Sequence, residues 1–271
     1  MRFFILNRRN IENKFFWMTL AVVFFMVGMM FKDIAEPVVH NQPIYQGSGR
    51  YKEIALTVNV FWGEEYIPQM LDTLKQNNVK ATFFLGGTWV KKYPDLAARI
   101  AAEGHEIGSH GYSHPHPDQI SKFENLREIQ KAEDIIYKAV GMRPRLFAPP
   151  YGERGSSVLK AADEASYTTV LWSVDTIDWQ LPQPHIIVQR VVDHAHNGAI
   201  VLMHPTAPTV KALPEIIQKL NKDGYKLVNV SKILEGLEAT DSSVTGKKTI
   251  ILQPGAPKLL WATVVSFIAK G

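Results

Sequence analysis

Val79–Ser109 reads VKATFFLGGTWVKKYPDLAARIAAEGHEIGS, and it holds one complete strand–helix–strand unit. Val79–Leu85 is an apolar run rich in Phe and closed by glycine, which predicts a strand. Pro94–Ala102 reads as a helix, and His105–Ser109 as a second short strand. Outward from this unit the alternation continues. On the amino-terminal side, Glu53–Val60 predicts a strand, and Ile67, Met70, Leu71 and Leu74 fall at helical spacing. On the carboxy-terminal side, Ser121 and Glu124 form a capping-box pattern before a helix carrying Leu126, Ile129 and Ile136. Further strands are expected at Arg145–Ala148, Thr168–Trp172, Ala199–Met203 and Lys226–Val228, with helices near 155–166, 184–196 and 209–221. Alternation sustained over about 185 residues argues for a parallel sheet, either doubly wound or closed into a barrel.

Composition places this unit in context. A chain of 271 residues is long enough for one large domain plus an anchor, since a single α/β barrel alone typically takes ~250 residues. Hydrophobic content of 46% and charged content of 21% are ordinary for a globular fold. The net charge is +4, and Arg2, Arg8, Arg9 and Lys14 all precede a hydrophobic run. No later cluster of Lys and Arg interleaved with aromatics appears, so the excess is read as membrane topology and nucleic-acid binding is not expected. Cysteine is absent, which removes disulfides and Cys metal sites and leaves the redox compartment open.

Phe15–Phe31, FFWMTLAVVFFMVGMMF, is 17 residues without a charge. As a helix it spans roughly 25 Å, near the lower limit for crossing a bilayer. With the positive charges ahead of it, residues 1–14 are expected in the cytoplasm, 15–31 as a transmembrane anchor, and everything after Lys32 on the outer face of the cell membrane. A cleaved signal peptide is the competing reading, but only Ala35 offers a poor cleavage context. Residues 32–50 contain prolines and glycines without a periodic pattern and are expected to be a linker. The domain is expected over 51–237, with a tail at 238–271. Within that tail, Leu259–Ile268 is apolar but too short to span; a docked strand or helix is expected, with a second membrane contact as the alternative.

Five segments fall where strands should end, the place where barrel enzymes build their sites. They are Thr57–Gly63 (TVNVFWG), Ser109–His114 (SHGYSH), Phe147–Gly152 (FAPPYG), Trp172–Trp179 (WSVDTIDW) and Val201–His204 (VLMH). His110 and His114 would lie ~13 Å apart in an extended strand, too far to share an ion. Gly111 and Pro115 favour a turn that brings them onto one face. His116 is expected at the surface. Asp175 and His204 each end an expected strand, and a carboxylate bonded to a histidine makes it a usable acid near neutral pH.

Together these segments resemble the polysaccharide deacetylases, also called the NodB-homology family or carbohydrate esterase family 4. NVKATFFLGG (Asn78–Gly87), GHEIGSHGYSHP (Gly104–Pro115), APPYG, LWSVDTIDW and VLMHPT carry the resemblance, which covers about residues 50–235. It implies a deformed (β/α) barrel and metal-assisted hydrolysis of N-acetyl groups on amino sugars such as those of peptidoglycan or chitin. By the match, His110 and His114 would be ligands of a divalent ion, usually zinc, whose chemistry is to polarise the carbonyl and supply the attacking water. Tyr151 would stabilise the oxyanion through its backbone N–H. His204 would be the general acid, tuned by Asp175. Trp179 and Leu202 would wall the acetate pocket.

This sequence departs from the family where the chemistry begins. The first motif should read Thr-Phe-Asp-Asp, with a catalytic base and then a metal ligand; here it reads Thr57-Val58-Asn59-Val60. An amide cannot take a proton at neutral pH, and valine offers no donor atom. Ala148 stands where the family has an arginine paired with that base. Arg145 is three residues earlier on a strand and is expected on the opposite side. Glu64 and Glu65 lie past Gly63 and are the candidates for a replacement carboxylate. Trp62 is retained and is placed to stack on a sugar ring. The expectation is a membrane-anchored protein that binds N-acetylated cell-wall glycan with weak or lost catalysis, its zinc weakly bound or absent. The alternative is a working deacetylase with an altered metal site.

Overall fold

The computed structural model describes residues 42–235. The strands are β1 (Glu53–Val60), β2 (Thr82–Leu85), β3 (Glu106–Ser109), β4 (Leu146–Phe147), β5 (Thr168–Thr169), β6 (Val174–Asp175), β7 (Ile200–Met203) and β8 (Lys226–Val228). Between them lie helices α1 (Ile67–Gln76), α2 (Gly87–Lys92), α3 (Pro94–Ala102), α4 (Lys122–Val140), α5 (Ser156–Glu164), α6 (Pro184–Asp193) and α7 (Ala207–Lys222). The strands pair in parallel in the order β5-β4-β3-β2-β1-β7-β6, with β8 beside the start of β1. This is a curled parallel half-barrel with helices outside, as the strand–helix alternation requires.

Period-two alternation along β1 sorts its residues between two cores. Ile54, Leu56, Val58 and Val60 are fully buried in the large cluster that also takes Met70 and Leu74 of α1 and Leu213 and Ile217 of α7. Ala55 belongs to a second cluster with Phe84, Leu146, Ala148, Val170 and Ile200. Thr57 and Asn59 share the face of Ala55 by the same alternation. On α1, Ile67, Met70, Leu71 and Leu74 are the buried residues, the stripe that their spacing predicts. The capping box on α4 forms: the Ser121 N–H donates to Glu124 Oε2 at 2.9 Å, and the Glu124 N–H donates to Ser121 Oγ at 3.2 Å.

Two expectations need correction. The strand expected over Thr168–Trp172 is only two residues long, β5, and a further strand not expected, β6, pairs with β7. Residues 44–47, expected in a linker, are part of the domain. Ile44 bridges Val170 and Gln46 bridges Ala199, and the Gly47 N–H donates to Gly198 O at 2.8 Å. The chain ahead of β1 thus runs between the end of β5 and the start of β7. The expected anchor at 15–31 and most of the tail at 238–271 lie outside the described residues. Among the described residues no helix is long and apolar enough to cross a membrane.

Candidate functional site

The carboxyl ends of the strands enclose a cleft of about 430 Å³. His110, directly after β3, is 3% exposed. Its Nδ1 lies 2.7 Å from Ala148 O, and because a carbonyl only accepts, Nδ1 carries the proton and Nε2 is left with its lone pair. Burial, reinforced by the neighbouring His114, pushes its pKa down to about 3. Burial also lowers the pKa of His114. The turn expected between them forms: Gly111 has φ 76° and His114 φ 60°, and the two imidazole centroids stand 4.9 Å apart.

Three anchors hold that turn. The first residues of α2 donate to it, Gly87 N–H to Gly111 O and Thr88 N–H to Tyr112 O, both at 2.9 Å. A Cβ at Gly87 would stand 2.6 Å from the Tyr112 ring, so the approach requires glycine. The Glu128 carboxylate on α4 accepts from Tyr112 N–H (3.2 Å), Ser113 N–H (2.7 Å) and Ser113 Oγ (3.0 Å). Sequence reasoning passed over Glu128, which lies on a helix with no catalytic pattern.

Tyr151, also in left-handed backbone at φ 59°, closes one side of the cleft. Its ring meets His114 edge-on at 4.7 Å and stacks on His116 at 3.9 Å. His116 is exposed and reaches Glu153 Oε1 at 2.7 Å, tying the histidine loop to the loop after β4.

On the opposite side His204, just after β7, stacks on Trp62 with centroids 5.9 Å apart. Its partner is Asp178, not Asp175. His204 Nδ1 lies 2.8 Å from Asp178 Oδ1, the His204 backbone N–H donates to Oδ2 at 2.6 Å, and Thr209 Oγ1 donates to Oδ2 at 2.5 Å. Asp178 is fully buried. Asp175 lines the same cleft but spends Oδ1 on the Ile177 N–H at 2.8 Å. The reason is the turn between them. Ile177 and Leu181 both adopt left-handed backbone, at φ 51° and 53°, around the single helical turn Asp178–Gln180, and this swings Asp178 inward while leaving Trp179 and Leu181 exposed. Two aspartates three residues apart with glycine-free flanks gave no signal of which one turns in.

Asn59, Trp62, Trp179 and Leu202 line the cleft with these groups. Phe61 and Trp172, not singled out in the sequence, line it too. Val60 does not: it is 0% exposed and packs in the helix-side core. Ala148 is buried and contributes its carbonyl to His110. Arg145 is exposed. Glu64 accepts a hydrogen bond from the Tyr93 hydroxyl, which holds its carboxyl below the usual range, and neither Glu64 nor Glu65 lines the cleft. The residues present do not fit a catalytic zinc centre. Such a centre takes three protein ligands, and among the described residues no group of three His, Cys, Asp or Glu converges. Two imidazoles remain.

Comparison with known proteins agrees with this geometry. The profile of the polysaccharide deacetylase family matches residues 46–170. The Bacillus subtilis protein YlxY, described as uncharacterized, is 41% identical over 194 residues, which are 72% of this chain and 61% of that one. The chain therefore spans about three fifths of that relative's length. A peptidoglycan-N-acetylglucosamine deacetylase of Bacillus cereus is 39% identical over 198 residues, 70% of this chain and 72% of that protein. Among solved structures, BA3943 of Bacillus anthracis, described as a CE4 family pseudoenzyme, is similar at TM-score 0.70 and 44% identity, covering 71% of this chain and 69% of that one. A mutant of BA3943 is described as having restored enzymatic activity.

Proposed function

The chain belongs to the polysaccharide deacetylase family, and on that premise we propose that it binds N-acetylated cell-wall glycan of the peptidoglycan type and hydrolyses it weakly or not at all. The end of β1 carries this reading. Asn59 reaches the cleft where a base would be needed, Val60 is turned into the core, and the one carboxylate among the described lining residues, Asp175, has an oxygen bound to the Ile177 N–H. Loss of a general base alone typically slows a reaction 10²–10⁴-fold. The rest of the cleft is kept: Trp62, Trp179 and Tyr151 offer exposed ring faces for sugar, and Asp178 holds His204 at the mouth. His204 can hydrogen-bond a sugar hydroxyl or amide there. A divalent ion, zinc by the donor type, would be held weakly or not at all by His110 and His114.

The second reading is an active N-deacetylase with an altered metal site. One observation favours it: His110 donates Nδ1–H to a carbonyl and keeps Nε2 free, the arrangement of metal-ligating histidines. We further propose that residues 15–31 anchor the chain in the cell membrane with the domain on the outer face.

Acetate release, glycan binding and bound zinc, all measured on the full-length protein, test these readings. The expected result is measurable affinity for N-acetylated glycan with little or no acetate released and no stoichiometric zinc. Robust release that His204→Ala abolishes would overturn it and establish the altered-site enzyme.

A further inference from the structure

Asn59 is a polar side chain without a job in the folded chain. It is 5% exposed, it lines the cleft, and among the described residues its carboxamide has no hydrogen-bond partner. The neighbour two residues earlier on the same face is fully served, Thr57 Oγ1 donating to Val201 O at 2.8 Å. A carboxamide carries one acceptor and an NH₂ donor. An acetamide carries the complementary pair, a carbonyl and an N–H. A protonated amine carries donors only, so against it the Asn59 NH₂ would be desolvated with nothing to bond. The cleft that Asn59 lines also holds apolar side chains, Phe61, Trp172, Trp179 and Leu202, that can receive a methyl group. Asp175 is the single carboxylate among the lining residues, and one of its oxygens is already taken by the Ile177 N–H.

We propose that Asn59 makes the cleft a reader of acetylation: its carboxamide pairs with the acetamide of an N-acetylated amino sugar, and the deacetylated sugar is rejected. This rests on the reading that the cleft binds glycan. Substituting the base thus does more than remove an activity. A site built around a hydrogen-bonding group discriminates against the ligand that leaves it unpaired, here by about tenfold for one unmet donor.

The test measures affinity of the full-length protein, in chelator, for a tetrasaccharide of N-acetylglucosamine and for its fully deacetylated form at mildly acidic pH. The acetylated form should bind at least about tenfold tighter. Asn59→Asp, nearly isosteric, should erase that preference while no ion is bound, since a carboxylate accepts from an ammonium and offers the acetamide carbonyl no donor. Asn59→Leu should weaken the acetylated form and lift the penalty on the deacetylated one, closing the gap between them, and Asp175→Asn should widen the preference. Melting curves establish that each variant is folded. Equal binding of both sugars by the unsubstituted protein, or a preference that survives Asn59→Asp, would overturn the inference while leaving glycan binding intact. Binding of neither sugar would sink the glycan reading itself, and this inference with it.

Discussion

Val60→Asp restores a carboxylate at the end of β1, and the structure gives the size of its effect before any ion is added. Val60 is 0% exposed within the core that α1 and α7 cover. Removing its apolar burial costs about 1.5–3 kcal/mol. Placing an unpaired carboxyl there costs several kcal/mol more, as buried charge or as the work of protonating it. A total of about 4–6 kcal/mol corresponds to roughly 10–20 °C in melting temperature for a domain of this size. Zinc should then recover part of the loss. If the new carboxylate swings toward His110 and His114, a third ligand exists, and zinc at 100 times its dissociation constant adds about 2.7 kcal/mol. The assay is thermal melting with chelator and with zinc, repeated with His114→Ala added, which should remove the recovery. An unchanged melting temperature in chelator would refute the placement of Val60 in the core. A large loss with no zinc response would show that position 60 cannot meet the two imidazoles. Acetate release should need Asn59→Asp as well, with Ala148→Arg helping further, because base and ion act as a unit.

Other outcomes follow from the same geometry. Asp178→Asn should destabilise the fold by about 1–3 kcal/mol in urea, since three donors then face an amide; Asp175→Asn should cost less than about 1 kcal/mol, and the reverse order would return His204 to Asp175. His105 and His110 are held neutral by burial, at about 4 and about 3 against an ordinary 6.5. The unfolded chain therefore binds protons below pH 6.5 that the folded chain refuses, so stability is complete above that pH and falls as pH drops toward 4, by up to about 1.4 kcal/mol per pH unit per group. His105→Gln should flatten the slope measured by urea melts; a slope unchanged by it would remove His105 from the account. For topology, protease added to cells stripped of their wall should digest the domain, while undigested protein stays with the membrane fraction. Full protection would contradict an outward domain, and release of a shortened soluble form would indicate cleavage after residue 31.

Much of this arrangement was legible in the sequence because it depends on local pattern. Alternation placed β1, β3 and β7, and Gly111 marked the turn that brings His110 to His114. Asn59, Tyr151, Trp179, Leu202 and Trp62 came together because each lies near the carboxyl end of a strand, or in the loop just after it, in one parallel sheet. What escaped depends on partners distant in sequence. β6 has two residues, too few for any period to show, so nothing distinguished the strand residue Asp175 from Asp178 in the turn beyond it. Val60 looked like its neighbour Asn59 until alternation along β1 sent the two to opposite faces. Ile44 and Gln46 were read as linker because a one-residue bridge to Val170 or Ala199 leaves no periodic trace. Glu128 acts on a turn 15 residues earlier, and its role is visible only once α4 is packed.

The turn from Ile177 to Leu181 ties the inside of the cleft to its rim. Two non-glycine residues in left-handed backbone cost roughly 1–2 kcal/mol each, and the bonds made by Asp178 keep that turn in place. The same turn displays Trp179 and Leu181 to solvent. Cutting the inner latch would therefore let the outer rim relax. If the cleft holds sugar without hydrolysing it, as proposed, Asp178 and His204 would still be needed to hold that rim in place. The presence of an acid–base pair in such a fold therefore does not by itself establish turnover.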